Sequence, residues 1–196
     1  MKLVLASKNQ KKMKEMNDIL SVMGVEVCLQ ADVGVDVDVE ETGTTFEENS
    51  LLKAKAVMEA SGLPAIADDS GLCVDALNGA PGVWSARYGG EGLDDTGRYR
   101  LLLSNMPRGG SRTAKFVSVI TCCFPNGDVL TARGECPGTI AFAPMGEGGF
   151  GYDPVFFLPE LKKTFAQLSA EEKNAVSHRG RALEAFQVRL EEYLKK

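Results

Sequence analysis

Leu3-Val-Leu-Ala6 is a short apolar run, and Val25 to Leu29 is a second one. Between them Ser7 opens a segment in which Met13, Met16, Leu20 and Met23 fall on one helical face, and Gly24 stops it. Strand, helix and strand in that order are the unit of a parallel sheet, which points the chain to α/β or α+β. An acidic loop follows, Asp32 through Gly43, with alternating Val and Asp, and then Thr45-Phe-Glu-Glu48 as a capping box. The next helix carries Leu51, Ala54, Val57 and Met58 on a common face and ends at Ser61-Gly62. Strands dominate after it: one over 65–75, then a hairpin of Lys115 to Phe124 and Asp128 to Glu135 turned by Pro125-Asn-Gly127. A Gly/Pro-rich loop from Asn78 to Gly92 and a helix near Asp95 to Asn105 lie between them. The last helix starts near Ser177 and buries Ala182, Ala185, Phe186, Leu190 and Tyr193. The expected fold is α/β (mixed α+β), a twisted mixed β-sheet flanked by helices. Residues 1–196 form one domain with no linker long enough to divide it, and a small second lobe grows from one end of the long strands.

The chain has 196 residues, of which 44% are hydrophobic, enough for one good core or a core plus a small lobe. A net charge of -5 gives no global basic field, so nucleic acid is not an expected partner. A polyanionic small molecule fits only where Lys, Arg or a metal is gathered locally. No apolar run approaches the ~20 residues of a membrane span, and the apolar part of the N-terminus is too short for a signal peptide. The chain reads as cytoplasmic. Its five cysteines show no C-x-x-C and read as buried free thiols. With His178 as the one histidine, any metal must be held by oxygen ligands.

Asp68 and Asp69 lie where the apolar run Leu63 to Ala67 meets Ser70-Gly71. As the end of a buried strand this puts two carboxylates side by side, which a hard divalent cation compensates most cheaply. The same letters also suit a solvated turn. Ser7-Lys8-Asn9-Gln10-Lys11-Lys12 lies where a strand hands over to a helix, a place whose amides, hydroxyl and ammonium groups suit a polyphosphate. The glycines of a Walker A loop are missing, and a capped Lys-rich surface helix explains the segment equally well. Glu40 and Glu41 supply another carboxylate pair, and Lys53 sits two turns into the helix that follows. Phe150-Gly151-Tyr152-Asp153-Pro154 offers an aromatic platform for a flat base, or simple core closure. Lys173, Ser177, His178 and Arg179 fall in the turn ahead of the last helix, with Ser177 as its N-cap.

Six segments then stand in one order: Ser7-x-Asn9-x-x-Lys12, Glu41-Thr-Gly-x-Thr-Phe-x-Glu-Asn49, Ala67-Asp-Asp-Ser-Gly71, Ala80-Pro-Gly-Val-Trp-Ser-Ala-Arg-Tyr88, Phe150-Gly-Tyr-Asp-Pro154 and Glu172-Lys-x-x-x-Ser-His-Arg-Gly180. Over essentially its whole length the chain resembles the inosine triphosphate pyrophosphatases, also called dITP/XTP pyrophosphatases. It departs in Ser7, where that family often has Thr, and in Trp84, where Tyr is common. The resemblance implies an elongated mixed sheet in two lobes with a central nucleotide cleft, and a homodimer. It also implies Mg2+-dependent hydrolysis (Mn2+ as substitute) of ITP, dITP or XTP to the monophosphate and pyrophosphate. By the same resemblance Glu41 and Asp69 are metal ligands, and Asp69 or its metal-bound water is the base. Lys12, Lys53 and the segment Ser7, Lys8, Asn9, Gln10 and Lys11 would hold the triphosphate, with Ser70 beside them. Phe150 would stack on the base beside Gly151 and Tyr152, and Asp153, Lys173 and His178 would form the polar rim. Arg179, a donor-only group, suits a 6-keto purine and opposes adenine's amino group. A pyrophosphatase for modified pyrimidine triphosphates and a non-hydrolysing nucleotide-binding regulator are the alternatives.

Overall fold

The structure is a computed structural model that describes residues 1–196. Its strands are β1 (Lys2–Leu5), β2 (Glu26–Leu29), β3 (Ala65–Val74), β4 (Thr113–Cys123), β5 (Val129–Ile140), β6 (Phe156–Leu158) and β7 (Lys163–Thr164). Its α-helices are α1 (Gln10–Leu20), α2 (Phe46–Ser61), α3 (Asp95–Asn105), α4 (Ala170–Val176) and α5 (His178–Leu194). One seven-stranded sheet runs in the order β2-β1-β3-β4-β5-β6-β7. β1 pairs in parallel with both β2 and β3, while β5-β6 and β6-β7 are antiparallel, so the sheet is mixed as expected. Chain contacts resolve two compact units. The first comprises Met1–Asp69, Ser118–Gly134 and Arg179–Lys196; the second comprises Ser70–Val117 and Glu135–His178.

The core of the first unit gathers Leu3 and Leu5 of β1, Met16 and Leu20 of α1, Ile120 of β4, and Leu183 and Phe186 of α5. The second unit has its own core, in which Leu72, Leu102, Phe116, Phe156 and Phe165 are among the buried members. β2 is an edge of the sheet, and an edge strand presents unpaired backbone groups. Asn17 of α1 closes this one: its amide donates to the Val27 carbonyl at 2.9 Å and accepts the Val27 N–H at 2.9 Å.

Several local expectations are corrected. Ser7 does not open α1: Asn9 is the N-cap, accepting the amides of Lys11 and Lys12, and Ser7 Oγ accepts the Asn9 amide instead. Thr45 caps α2, but Glu48 reaches back to the Thr44 amide at 2.7 Å rather than to Thr45. Leu51 is exposed, because α2 buries Phe46, Asn49, Ser50, Ala54 and Val57. Tyr193 is half-buried, tilted against Phe124. The Asp-Asp-Ser-Gly segment lies inside β3, not at its end. Lys173 belongs to α4, Ser177 is that helix's C-cap, and His178 and Arg179 are the first residues of α5 rather than a turn ahead of it.

Asn17→Ala should cost about 1–3 kcal/mol of folding stability, the desolvation left by two orphaned backbone groups. Urea denaturation measures it; a loss below a few tenths would mean water replaces the side chain at no cost.

Candidate active site

Successive residues of a strand point to opposite faces, so the two aspartates in the middle of β3 do different things. Asp68 is buried and saturated. Its Oδ1 accepts the Ser118 hydroxyl at 2.8 Å. Its Oδ2 takes Arg179 Nε at 2.9 Å, Arg179 NH2 at 2.8 Å and Lys12 Nζ at 3.2 Å. Arg179 also pairs through NH1 with Glu15 of α1. Burial pulls the guanidinium's pKa down, but Asp68 and Glu15 outweigh it and push it up, so Arg179 keeps its charge. Burial sets the direction at Lys12, whose ammonium falls below its ordinary value against the pull of Asp68.

Asp69 meets one cation. Its Oδ1 accepts Lys53 Nζ at 3.0 Å, and its Oδ2 is buried with no hydrogen-bond partner. Burial raises this carboxyl above the usual range although Lys53 works against it. Lys53 stands one turn after Asn49 on α2, so it shares the helix's inward face. All three of its ammonium protons are engaged: by Asp69 Oδ1, by the Asp68 carbonyl at 3.0 Å and by Glu41 Oε1 at 2.8 Å. Burial would lower its pKa, but Asp69 and Glu41 prevail and raise it. Two carboxylate oxygens and a backbone carbonyl converging on one cation are the donor types a hard divalent ion selects. No three acidic, histidine or cysteine side chains meet at a point, so such an ion would complete its shell from phosphate and water oxygens. The orphaned Oδ2 of Asp69 lies outside that set of oxygens.

The cluster sets four carboxylates (Glu15, Glu41, Asp68, Asp69) against three cations (Lys12, Lys53, Arg179). The chain's own cations therefore compensate its adjacent aspartates. The cluster also keeps one negative charge in excess. A cavity of about 270 Å³ opens on it, lined by Ser7, Lys8, Lys12, Glu41, Lys53 and Asp68 among others. Of the other expected phosphate residues, Gln10 and Lys11 are exposed at the start of α1, and Lys8 is paired at the surface with Asp36 at 3.0 Å. Two of the amides at that helix start are already capped by Asn9.

The remaining expected residues lie in the second unit. Ser70 is half-buried within β3. Lys173 donates to Asp153 Oδ2 at 2.8 Å, both buried, and its ammonium lies 4.6 Å from the centre of the Phe150 ring. Asp153 Oδ2 also accepts the Phe150 amide at 3.0 Å. Gly149 allows this, since a Cβ there would sit 2.0 Å from that oxygen. The Gly151 amide donates to Asp95 at 2.9 Å and the Tyr152 hydroxyl to the Ser85 carbonyl at 2.6 Å. His178 is 4% exposed, its ring stacked on Phe116 at 4.6 Å.

Residues 3–189 match the model of the Ham1 family. The chain belongs to the Ham1 family. A dITP/XTP pyrophosphatase of Desulforamulus reducens is 50% identical over 186 residues, covering 93% of this chain and 92% of that one. Another from Haemophilus influenzae is 51% identical, with 96% and 98% covered. The solved structure of a Ham1 protein from Coxiella burnetii superposes with a TM-score of 0.90 at 42% identity, over 98% of this chain and 99% of that one.

Two members of the cluster in this Ham1 chain escaped the sequence reading. Glu15 lies three residues after Lys12 on the same face of α1, and that spacing was the available signal. Ser118 interrupts the apolar run of β4, where a buried hydroxyl calls for a partner. The geometry separates the neighbouring aspartates by experiment. Asp68→Asn should cost about 3–5 kcal/mol, because it strands buried cations. Asp69→Asn should leave the thermal midpoint near that of the wild type. Equal losses in both variants, measured by thermal denaturation, would contradict the division of roles.

Proposed function

We infer that this chain is a nucleoside triphosphate pyrophosphatase that hydrolyses deaminated purine nucleotides, dITP, XTP and ITP, to the monophosphate and pyrophosphate. The observation that carries the reading is the Lys53-Asp69-Glu41 contact with its orphaned Asp69 Oδ2. It stands in a chain half identical to dITP/XTP pyrophosphatases. Neither a pyrimidine-directed enzyme nor a passive binder gains support from these relatives.

The residues suit the chemistry. Glu41 and Asp69 would hold Mg2+, or Mn2+ in its place, and the ion when bound neutralises charge on the phosphate oxygens. Lys12 and Lys53 then change partners, leaving carboxylates for the oxygens of the triphosphate. Each is a compact cation on a flexible stem, which suits the exchange. Asp69 Oδ2 is the base that takes a proton from the attacking water. Asp68 stays with Arg179 and Ser118 and keeps Lys12 within reach of the phosphates. For the base we propose Phe150 as the stacking surface and Asp153, Lys173 and His178 as the polar groups that orient it. Arg179 remains the proposed donor for a 6-keto group, as a side chain that can only donate.

No helix is long and apolar enough to cross a membrane. Work on the nucleotide pool, together with free thiols at all five cysteines, supports the cytoplasm as its place. The family resemblance supports a homodimer.

Asp69→Asn should keep nucleotide binding while reducing kcat on dITP by several orders of magnitude, since the lost charge acts mainly in the transition state. Retention of most of the turnover would move the base elsewhere. Chelation by EDTA should abolish pyrophosphate release and added Mg2+ should restore it; full turnover in metal-free buffer contradicts the reading. Arg179→Ala should lower kcat/KM for dITP and XTP more than for ATP. A uniform loss across the three would confine Arg179 to its carboxylate partners.

A further inference from the structure

Glu41 rides on a segment that has neither helix nor strand. After Gly34, which takes a left-handed φ of 74°, no regular element begins until α2. Its side chains still alternate: Val35 is buried and Val37 and Val39 are half-buried, while Asp36, Asp38 and Glu40 are exposed. A run of acidic residues repels itself, and the segment's backbone bonds, Val35 N–H to the Gln30 carbonyl at 3.0 Å and Thr42 N–H to the Glu40 carbonyl at 3.1 Å, do not hold both ends of the Val37 to Gly43 stretch.

Two buried carboxamides do. Gln30, 3% exposed, donates from Nε2 to the Val37 carbonyl at 3.0 Å and accepts the Val37 amide at Oε1, 3.2 Å away. Asn49, fully buried, accepts the Gly43 amide at Oδ1, 2.8 Å away, and its Nδ2 lies 3.5 Å from the Gly43 carbonyl. Each carboxamide engages both backbone groups of one residue, as a neighbouring strand would. The fit at Gly43 is close, since a Cβ there would lie 2.6 Å from Asn49 Oδ1. Val37 precedes Glu41 by four residues and Gly43 follows it by two, so the grips bracket it.

We propose that Gln30 and Asn49 are positioning residues for the reaction, clamping the segment on both flanks so that the Glu41 carboxylate is held where a divalent cation is received. The proposal rests on Glu41 being a metal ligand. A side chain needed only to fill space here would be apolar, because a buried amide is costly without partners. The clamp acts on the ligand as outer groups act in metal sites generally, by fixing its orientation.

Gln30→Met keeps the length of the side chain and removes both bonds. In the metal-free protein, hydrogen exchange at the Val37 amide should accelerate. The Mg2+ concentration for half-maximal dITP hydrolysis should rise about tenfold or more, with kcat at saturating Mg2+ largely recovered. Asn49→Ser gives the same reading on the other flank through the Gly43 amide, should Gln30→Met fail to fold. A lower thermal midpoint with an unchanged Mg2+ requirement overturns the proposal and leaves the carboxamides as structural supports. Glu41→Gln is the control: a wild-type Mg2+ response in that variant overturns the metal-ligand reading itself, and the clamp with it.

Discussion

The carboxylate of Asp68 holds the first unit's chemistry together. Lys12 comes from α1, Asp68 from β3, Ser118 from β4 and Arg179 from α5, and one buried side chain touches all three of the others. A carboxylate removed from water is tolerated only when cations and hydroxyls replace its hydration. Here the replacements are drawn from distant parts of the chain, so the ion cluster assembles only when sheet and flanking helices are in place. Folding and construction of the site are the same event in this unit.

The alternation of a strand turns two identical neighbours into unlike groups. Asp68 faces three partners and is spent on structure. Asp69 faces Lys53 with half of its carboxylate and keeps an oxygen in reserve. Lys53 in turn occupies the three oxygens that a hard cation would want. Lysines thus lie on the carboxylates of the cluster. In the proposed reaction, a triphosphate arriving with its cation would satisfy these groups by exchanging the pairs.

Much of this was legible in the letters, and the failures have physical reasons. The β-α-β opening and the last helix were read from apolar spacing because their buried residues are apolar, whereas α4, which buries Lys173, reads as a turn. α2 misled where its inward face is polar: Asn49, Ser50 and Lys53 lie on it, so counting apolar residues chose the stripe with exposed Leu51. The placement of Asp-Asp-Ser-Gly at a strand end failed similarly, since turn-like residues sit inside β3 with buried partners. Local chemistry did not announce that α1, α5 and β4 could supply Lys12, Arg179 and Ser118 to make a carboxylate acceptable in a strand. Glu41 was separable from Glu40 only by resemblance. In the structure the difference is plain, because Glu40 is exposed and Glu41 meets Lys53 at 2.8 Å.

The central claim is that the Lys53 ammonium holds the oxygens that a divalent cation takes over. Lys53→Met removes that ammonium while keeping the aliphatic stem. Titration of Mn2+ into the nucleotide-free protein, followed by its paramagnetic resonance, measures the consequence directly. The account predicts that the variant binds free Mn2+ about tenfold or more tightly than the wild type, since a competing unit charge has been taken from the site. Equal or weaker Mn2+ binding in the variant would contradict it.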